Sequence, residues 1–81
     1  MRCYVYRSVK KADTYIYLLE KDSTSSIPAG LKKLLGNVEY VLELDLEKTQ
    51  NLANADIDQV ISNLNTHGYY VQLPKEQHVS E

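Results

Sequence analysis

Apolar and polar residues alternate with period two in three stretches of this chain and recur with a helical period in two others. Arg2 to Arg7 (RCYVYR) and Thr14 to Leu19 (TYIYLL) read as β-strands, and the SVKKAD segment between them makes a hairpin. Val38 to Leu46 is a third strand. There Val38, Tyr40, Leu42, Leu44 and Leu46 alternate with Glu39, Val41, Glu43, Asp45 and Glu47, so one face is expected to be buried and the other acidic and wet. Ile57, Val60, Ile61 and Leu64 follow the i, i+3, i+4, i+7 pattern of an amphipathic helix. Asn54 is the expected N-cap, Asp56 and Asp58 suit the positive end of the macrodipole, and Gly68 is the expected stop, with His67 in the last turn. Tyr69 to Leu73 is then a short aromatic strand ended by Pro74. A briefer helix opens at Pro28, carries Leu31, Leu34 and Leu35 on one stripe with Lys32 and Lys33 outward, and ends at Gly36. Being short, it needs tertiary packing to persist.

The order is therefore β-β-α-β-α-β in an α+β domain, with a mixed or mainly antiparallel sheet and two helices. The single domain spans 1–74, and 75–81 is a polar tail. The Val38–Leu73 segment reads as a right-handed parallel crossover if both its strands lie suitably placed in one sheet. In the hairpin, pairing Tyr6 with Tyr15 and Tyr4 with Tyr17 puts all four tyrosines on one face and Cys3, Val5, Ile16 and Leu18 on the other. A slip of one residue would mix the two sets, which favours this register. In the last strand, Tyr69, Val71 and Leu73 are expected to face the core in preference to Tyr70 and Gln72. Pattern alone leaves open whether both helices share a face.

Length and composition narrow the picture. Eighty-one residues with 43% apolar and 25% charged side chains suit one small domain. Such a chain buries only about 60–65% of its unfolded surface, which leaves little room for an enclosed active site. The net charge of −2 gives no overall pull towards nucleic acid or an anionic membrane. No run approaches the roughly 18 apolar residues of a membrane span, and no apolar segment follows the N-terminal charges as in a signal peptide. One cysteine excludes an internal disulfide and a multi-cysteine metal site. A cytoplasmic protein is expected. All seven aromatic side chains are tyrosines, whose apolar body and polar tip suit half-buried sheet faces.

Three segments, CYVYRSVKKADTYIYL, IPAGLKKLLG and NADIDQVISNLNTHGYYVQLP, resemble the YcgL domain, a small bacterial family. The resemblance covers roughly residues 1 to 74. It implies a three-layer α/β/α sandwich, with the two helices on opposite faces of the sheet. It brings no activity, cofactor or catalytic residue. One departure is Thr24, where the family pattern carries an aromatic.

The candidate chemistry is thin. Arg2, Arg7, Lys10 and Lys11 give the first eleven residues four positive side chains and no acid. The expected binding surface is the hairpin end: Arg7, Ser8, Lys10 and Lys11, with Lys21 and Asp22 added if the next loop folds back. Its first use is contact with another macromolecule, most readily a protein. The alternative is nucleic acid, with Tyr15 or Tyr17 stacking on bases, although no RRM-type aromatic signature occurs. Glu39, Glu43, Asp45 and Glu47 are expected to line one side of a strand as a solvated face, and no calcium-loop spacing is present. Cys3 with His67 or His78 is the only nucleophile–base pairing on offer. Cys3 alternates with Val5 on an apolar face, so an inert thiol is expected. No phosphate loop occurs, since Gly30, Gly36 and Gly68 are isolated. The chain is accordingly expected to be non-enzymatic and to need no metal or cofactor.

Overall fold

The computed structural model describes residues 1–21, 27–48 and 56–74. Its elements are β1 (Arg2–Ser8), β2 (Tyr15–Leu18), α1 (Ala29–Leu35), β3 (Val38–Asp45), α2 (Ile57–His67) and β4 (Tyr69–Gln72). The strands form one sheet in the order β3-β1-β2-β4, and every neighbouring pair is antiparallel. The hairpin takes the centre of the sheet, so β3 and β4 fall on opposite edges. Three antiparallel steps separate them, so β3 and β4 run in opposite directions and the expected parallel crossover does not form. Leu35 of α1 packs with Tyr6, Ile16, Leu18 and Ile27 on one face. Val60 and Leu64 of α2 pack with Cys3, Val5, Tyr17 and Leu46 on the other. The architecture is an α/β/α sandwich in the α+β class.

The hairpin register differs by one residue from the expected one. Tyr4 pairs with Leu18, Val5 with Tyr17 and Tyr6 with Ile16. Tyrosines and aliphatics are thus mixed on both faces, because each face has its own helix to pack against. The loop sets the slip: the Ser8 amide donates to the Thr14 carbonyl at 2.9 Å, which leaves Val9–Asp13 as the connection. Asp13 turns the chain at φ 57°, a left-handed conformation that Asp tolerates better than most residues. Tyrosine suits this mixing. The Tyr17 hydroxyl donates to Gln72 Oε1 at 2.5 Å, both side chains being buried. Its ring meets Tyr70 edge-on, with 5.6 Å between centroids, across the β2–β4 pairing. Tyr6 meets Tyr40 in the same way across β1–β3, also at 5.6 Å. Such pairs add about 0.5–1.5 kcal/mol beyond the area they bury.

β3 breaks its own alternation. Val5 pairs with Leu42 but Tyr6 with Tyr40, so Val41 is an extra residue in the edge strand. Val38 and Tyr40 therefore share the α1 face with Tyr6, while Leu42 and Leu44 share the α2 face with Val5 and Cys3. The expected single buried face is split, and Tyr40, Val41 and Leu42 are exposed. The acids are split as well. Glu39 lies opposite Arg7 and Glu43 is on the other face with Arg2. A bulge and charged flanks are devices that discourage edge-to-edge pairing.

α2 is capped by Asp56 and not by Asn54, which lies outside the described residues. The Asp56 carboxylate accepts from the Asp58 amide at 2.9 Å. Asp serves this position as well as Asn and adds a charge favoured by the dipole. Gly68 ends the helix at φ 85° and donates its amide to the Leu64 carbonyl. Val60 and Leu64 are buried, and Ile61 packs against them half-buried. In β4 both faces are core: Tyr69 and Val71 pack on the α1 side and Tyr70 on the α2 side. Gln72 is buried and Leu73 is 52% exposed, the reverse of the expectation for these two. Leu73 lies past the last strand pairing, and Gln72 has a buried hydroxyl to satisfy.

Candidate interaction surface at the hairpin end

α1 is seven residues long and has no side-chain N-cap bond. The hairpin supplies what its C-terminus lacks. The last carbonyls of a helix have no partner within it. Here the buried Ser8 hydroxyl donates to the Leu35 carbonyl at 2.6 Å. It also accepts from the Lys10 and Lys11 amides, at 3.2 Å and 2.9 Å. One donor and two acceptor positions are the full capacity of a serine hydroxyl. Lys10 Nζ donates to the Lys33 carbonyl at 3.4 Å, and the Val9 amide donates to the Asn37 carbonyl at 2.9 Å. Gly36 closes the helix at φ 66° and ψ −147°, a region open to glycine almost alone. A Cβ there would come within 3.0 Å of Lys10 Cβ.

The residues expected to form a binding surface thus separate. Arg7 is exposed and engaged with Glu39, whose hydrogen bond and charge hold its guanidinium pKa above the ordinary value. Ser8 is committed to the three internal bonds. Lys10 and Lys11 are exposed on the pinned loop, Lys10 with its ammonium against the Lys33 carbonyl. Lys21 leaves the opposite end of the hairpin, and its ammonium lies 4.7 Å over the exposed Tyr40 ring. Asp22 lies outside the described residues. Tyr17 is buried, and burial first of all pushes its hydroxyl up to about 12, so it is not a stacking platform. Tyr15 is half-buried against the α2-side core.

Two residues that the apolar pattern assigns to the core, and one from the hairpin loop, belong to this surface. Leu34 and Leu73, 43% and 52% exposed, line a groove of about 480 Å³ with Lys10, Lys11, Ala12, Thr14 and Pro74. Val9, 58% exposed, lines the next depression with Arg7, Asp13, Tyr15 and Glu39. Their signal was positional: a two-turn helix cannot bury three leucines, and a residue before a strand-ending proline has no ladder partner.

Elsewhere the start of β1 is tied to the end of β3 by charge. Arg2 pairs with Glu43 at 2.7 Å and the Met1 ammonium with Glu47 at 3.0 Å, both at the surface. Among the described residues no three His, Cys, Asp or Glu side chains are placed to hold a metal ion. Cys3 is fully buried, and burial pushes its thiol up to about 11, opposite to what a nucleophile requires. His67 is exposed at the end of α2, its ring 5.8 Å from that of Tyr69. His78 lies outside the described residues. No helix among the described residues is long and apolar enough to cross a membrane.

The hairpin end of this small α/β/α domain thus combines a pinned loop with a shallow groove. A family model for the YcgL domain matches residues 3–75. A YcgL domain-containing protein of Thioalkalivibrio sulfidiphilus is 42% identical over 76 residues, 94% of each chain. One from Xanthomonas campestris pv. campestris is 44% identical over 93% of this chain and 87% of its own. One from Proteus mirabilis is 43% identical over 91% and 76%. The chain belongs to the YcgL domain family.

Proposed function

We propose that this domain is a non-enzymatic interaction module of the cytoplasm that binds another protein through the hairpin end. The observation that supports this reading is the coincidence of exposed Val9, Leu34 and Leu73 with Lys10 and Lys11 on a loop held by the Ser8 bonds. Apolar groups within a charged rim, on backbone that is already ordered, lose little entropy on binding. Nucleic acid is the second reading for the same lysines. Burial of Tyr17 and the aliphatic lining of the groove speak for protein first.

The test is a pull-down from cell lysate with and without nuclease, using the wild type and the double variant Lys10→Glu, Lys11→Glu. A partner kept after nuclease and lost with the double variant, in a protein that still folds with at most a small drop in melting temperature, is the expected result. A partner lost with nuclease would transfer the surface to nucleic acid. An interaction that survives in the double variant would remove it from the hairpin end.

A further inference from the structure

The groove at the hairpin end has a chemistry that selects its occupant. Its floor is aliphatic, formed by Leu34, Leu73, Pro74 and Ala12, and its rim carries Lys10 and Lys11. Among the described residues neither lysine is in an ion pair; the pairs are Met1–Glu47, Arg2–Glu43 and Arg7–Glu39. Lys33 adjoins the rim, since its carbonyl accepts from Lys10 Nζ. The one acid of the loop, Asp13, lines the neighbouring depression with Arg7 instead. Charge is thus segregated within a protein of net charge −2: carboxylates along β3, lysines around the groove.

We infer that this groove receives an acidic segment of another protein, in which leucine-like side chains enter the floor while flanking Asp or Glu side chains meet Lys10 and Lys11. The inference deepens the interaction-module reading and rests on it. Apolar anchors fill the space between the hairpin loop, α1 and the end of β4. Carboxylates supply the counter-charge that this chain does not provide among its described residues. The ammonium groups steer the approach, and the buried anchors hold the complex. A basic segment would meet like charge, and an acidic one without anchors would leave the floor wet. The pinned loop binds without rearrangement, because Ser8, Val9 and Lys10 already tie it to α1 and the turn after it.

The experiment is an amide chemical-shift titration of the full chain with the peptide Glu-Glu-Leu-Ser-Leu-Glu-Glu. Lys-Lys-Leu-Ser-Leu-Lys-Lys and Glu-Glu-Ser-Ser-Ser-Glu-Glu are the controls. The first peptide is expected to move the amides of Lys11, Ala12, Leu34 and Leu73, and the controls to leave them in place. Lys11→Glu and, separately, Leu73→Ser should each weaken the response about tenfold, the scale of a single anchor, without changing the melting temperature. Added salt should weaken it further. Equal shifts with either control, shifts confined to another surface, or stronger shifts from a single-stranded RNA oligonucleotide would overturn the inference. So would loss of the groove signals on dilution of the protein alone, which would assign the groove to a second copy. A photo-cross-linking side chain at position 34 in living cells separates the two levels. Cross-linked proteins together with a silent acidic peptide would refute the acidic occupant and leave the module standing. No cross-link and no shift would refute both.

Discussion

The two helices sit on opposite faces of one sheet and are stabilised in different ways. α2 has eleven residues, an Asp56 side-chain cap, a left-handed Gly68 stop and two fully buried anchors, Val60 and Leu64. Its stability is local capping plus a core stripe. α1 has seven residues, no side-chain cap, and one buried leucine. Its C-terminus is completed by groups from the hairpin, Ser8 and Lys10. The consequence reaches function. The α2 face packs the helix's own apolar residues and leaves Leu42 of the edge strand at the surface, whereas the α1 end places a pinned loop, exposed leucines and lysines together. A self-sufficient helix buries its apolar residues; a dependent one leaves part of them, Leu34 above all, at the surface.

The sharpest way to break this contrast is to truncate the α2 anchor. Leu64→Ala should cost about 2–5 kcal/mol, the range for large-to-small changes in a packed core. Ile61→Ala, half-buried, should cost less. Urea unfolding checks both, and equal small losses would mean that α2 is not the stable half.

Alkaline pH probes the same face. Burial raises Cys3 from 9.0 to about 11 and Tyr17 from 10.0 to about 12 in the folded state. Below pH 9 both groups are protonated whether the chain is folded or not, and stability is unaffected. Above it the unfolded chain releases its protons first, binds fewer than the folded one, and is favoured. Stability should therefore fall as pH rises from about 9 to 12, by on the order of 2 kcal/mol for Cys3 alone. Cys3→Ala should delay the onset towards the tyrosine range. A stability that stays flat up to pH 11 would show that the α2 face is wetter than its burial indicates.

The α1 end predicts coupling. Ser8→Ala leaves the Leu35 carbonyl and two loop amides without their partner and should cost about 1–3 kcal/mol. Gly36→Ala meets both an unfavourable backbone conformation and Lys10 Cβ, and should cost a similar amount. The two changes disturb one contact, so the double variant should lose less than the sum. Strict additivity would mean that the hairpin does not cap α1.

This contrast was only half legible in the sequence. The Ile57–Leu64 stripe and Gly68 announced α2 because its signals are local. Element order and fold class followed, since they need only periodicity and punctuation. The hairpin register was missed: tyrosine is compatible with either face, and the deciding bond, Ser8 to Thr14, lies in a loop with no turn motif. The bulge at Val41 was equally hidden, because VEYVLELD alternates without a break. At the candidate surface, Arg7, Ser8, Lys10 and Lys11 were read as one group. Tertiary structure divides them: Arg7 goes to Glu39 and Ser8 to Leu35. Leu34 and Leu73 were read as core because apolarity says nothing of whether a helix or strand is long enough to cover them.

The smallest expected effect separates the two lysines that remain. Lys10 Nζ reaches the Lys33 carbonyl in the last turn of α1, where a cation is favoured by the helix dipole. Its aliphatic stem also lies against Gly36. Lys10→Ala should therefore lower stability by about 0.3–1 kcal/mol. Lys11 has only its backbone amide engaged, through Ser8, so Lys11→Ala should stay within about 0.5 kcal/mol of wild type. Thermal unfolding at low salt, where such terms are largest, resolves the pair. If Lys11→Ala proved the more costly, its ammonium would have a structural role on this face. The lysine best placed to recognise a partner would then be part of the scaffold, and the hairpin end would lose its distinction from α2.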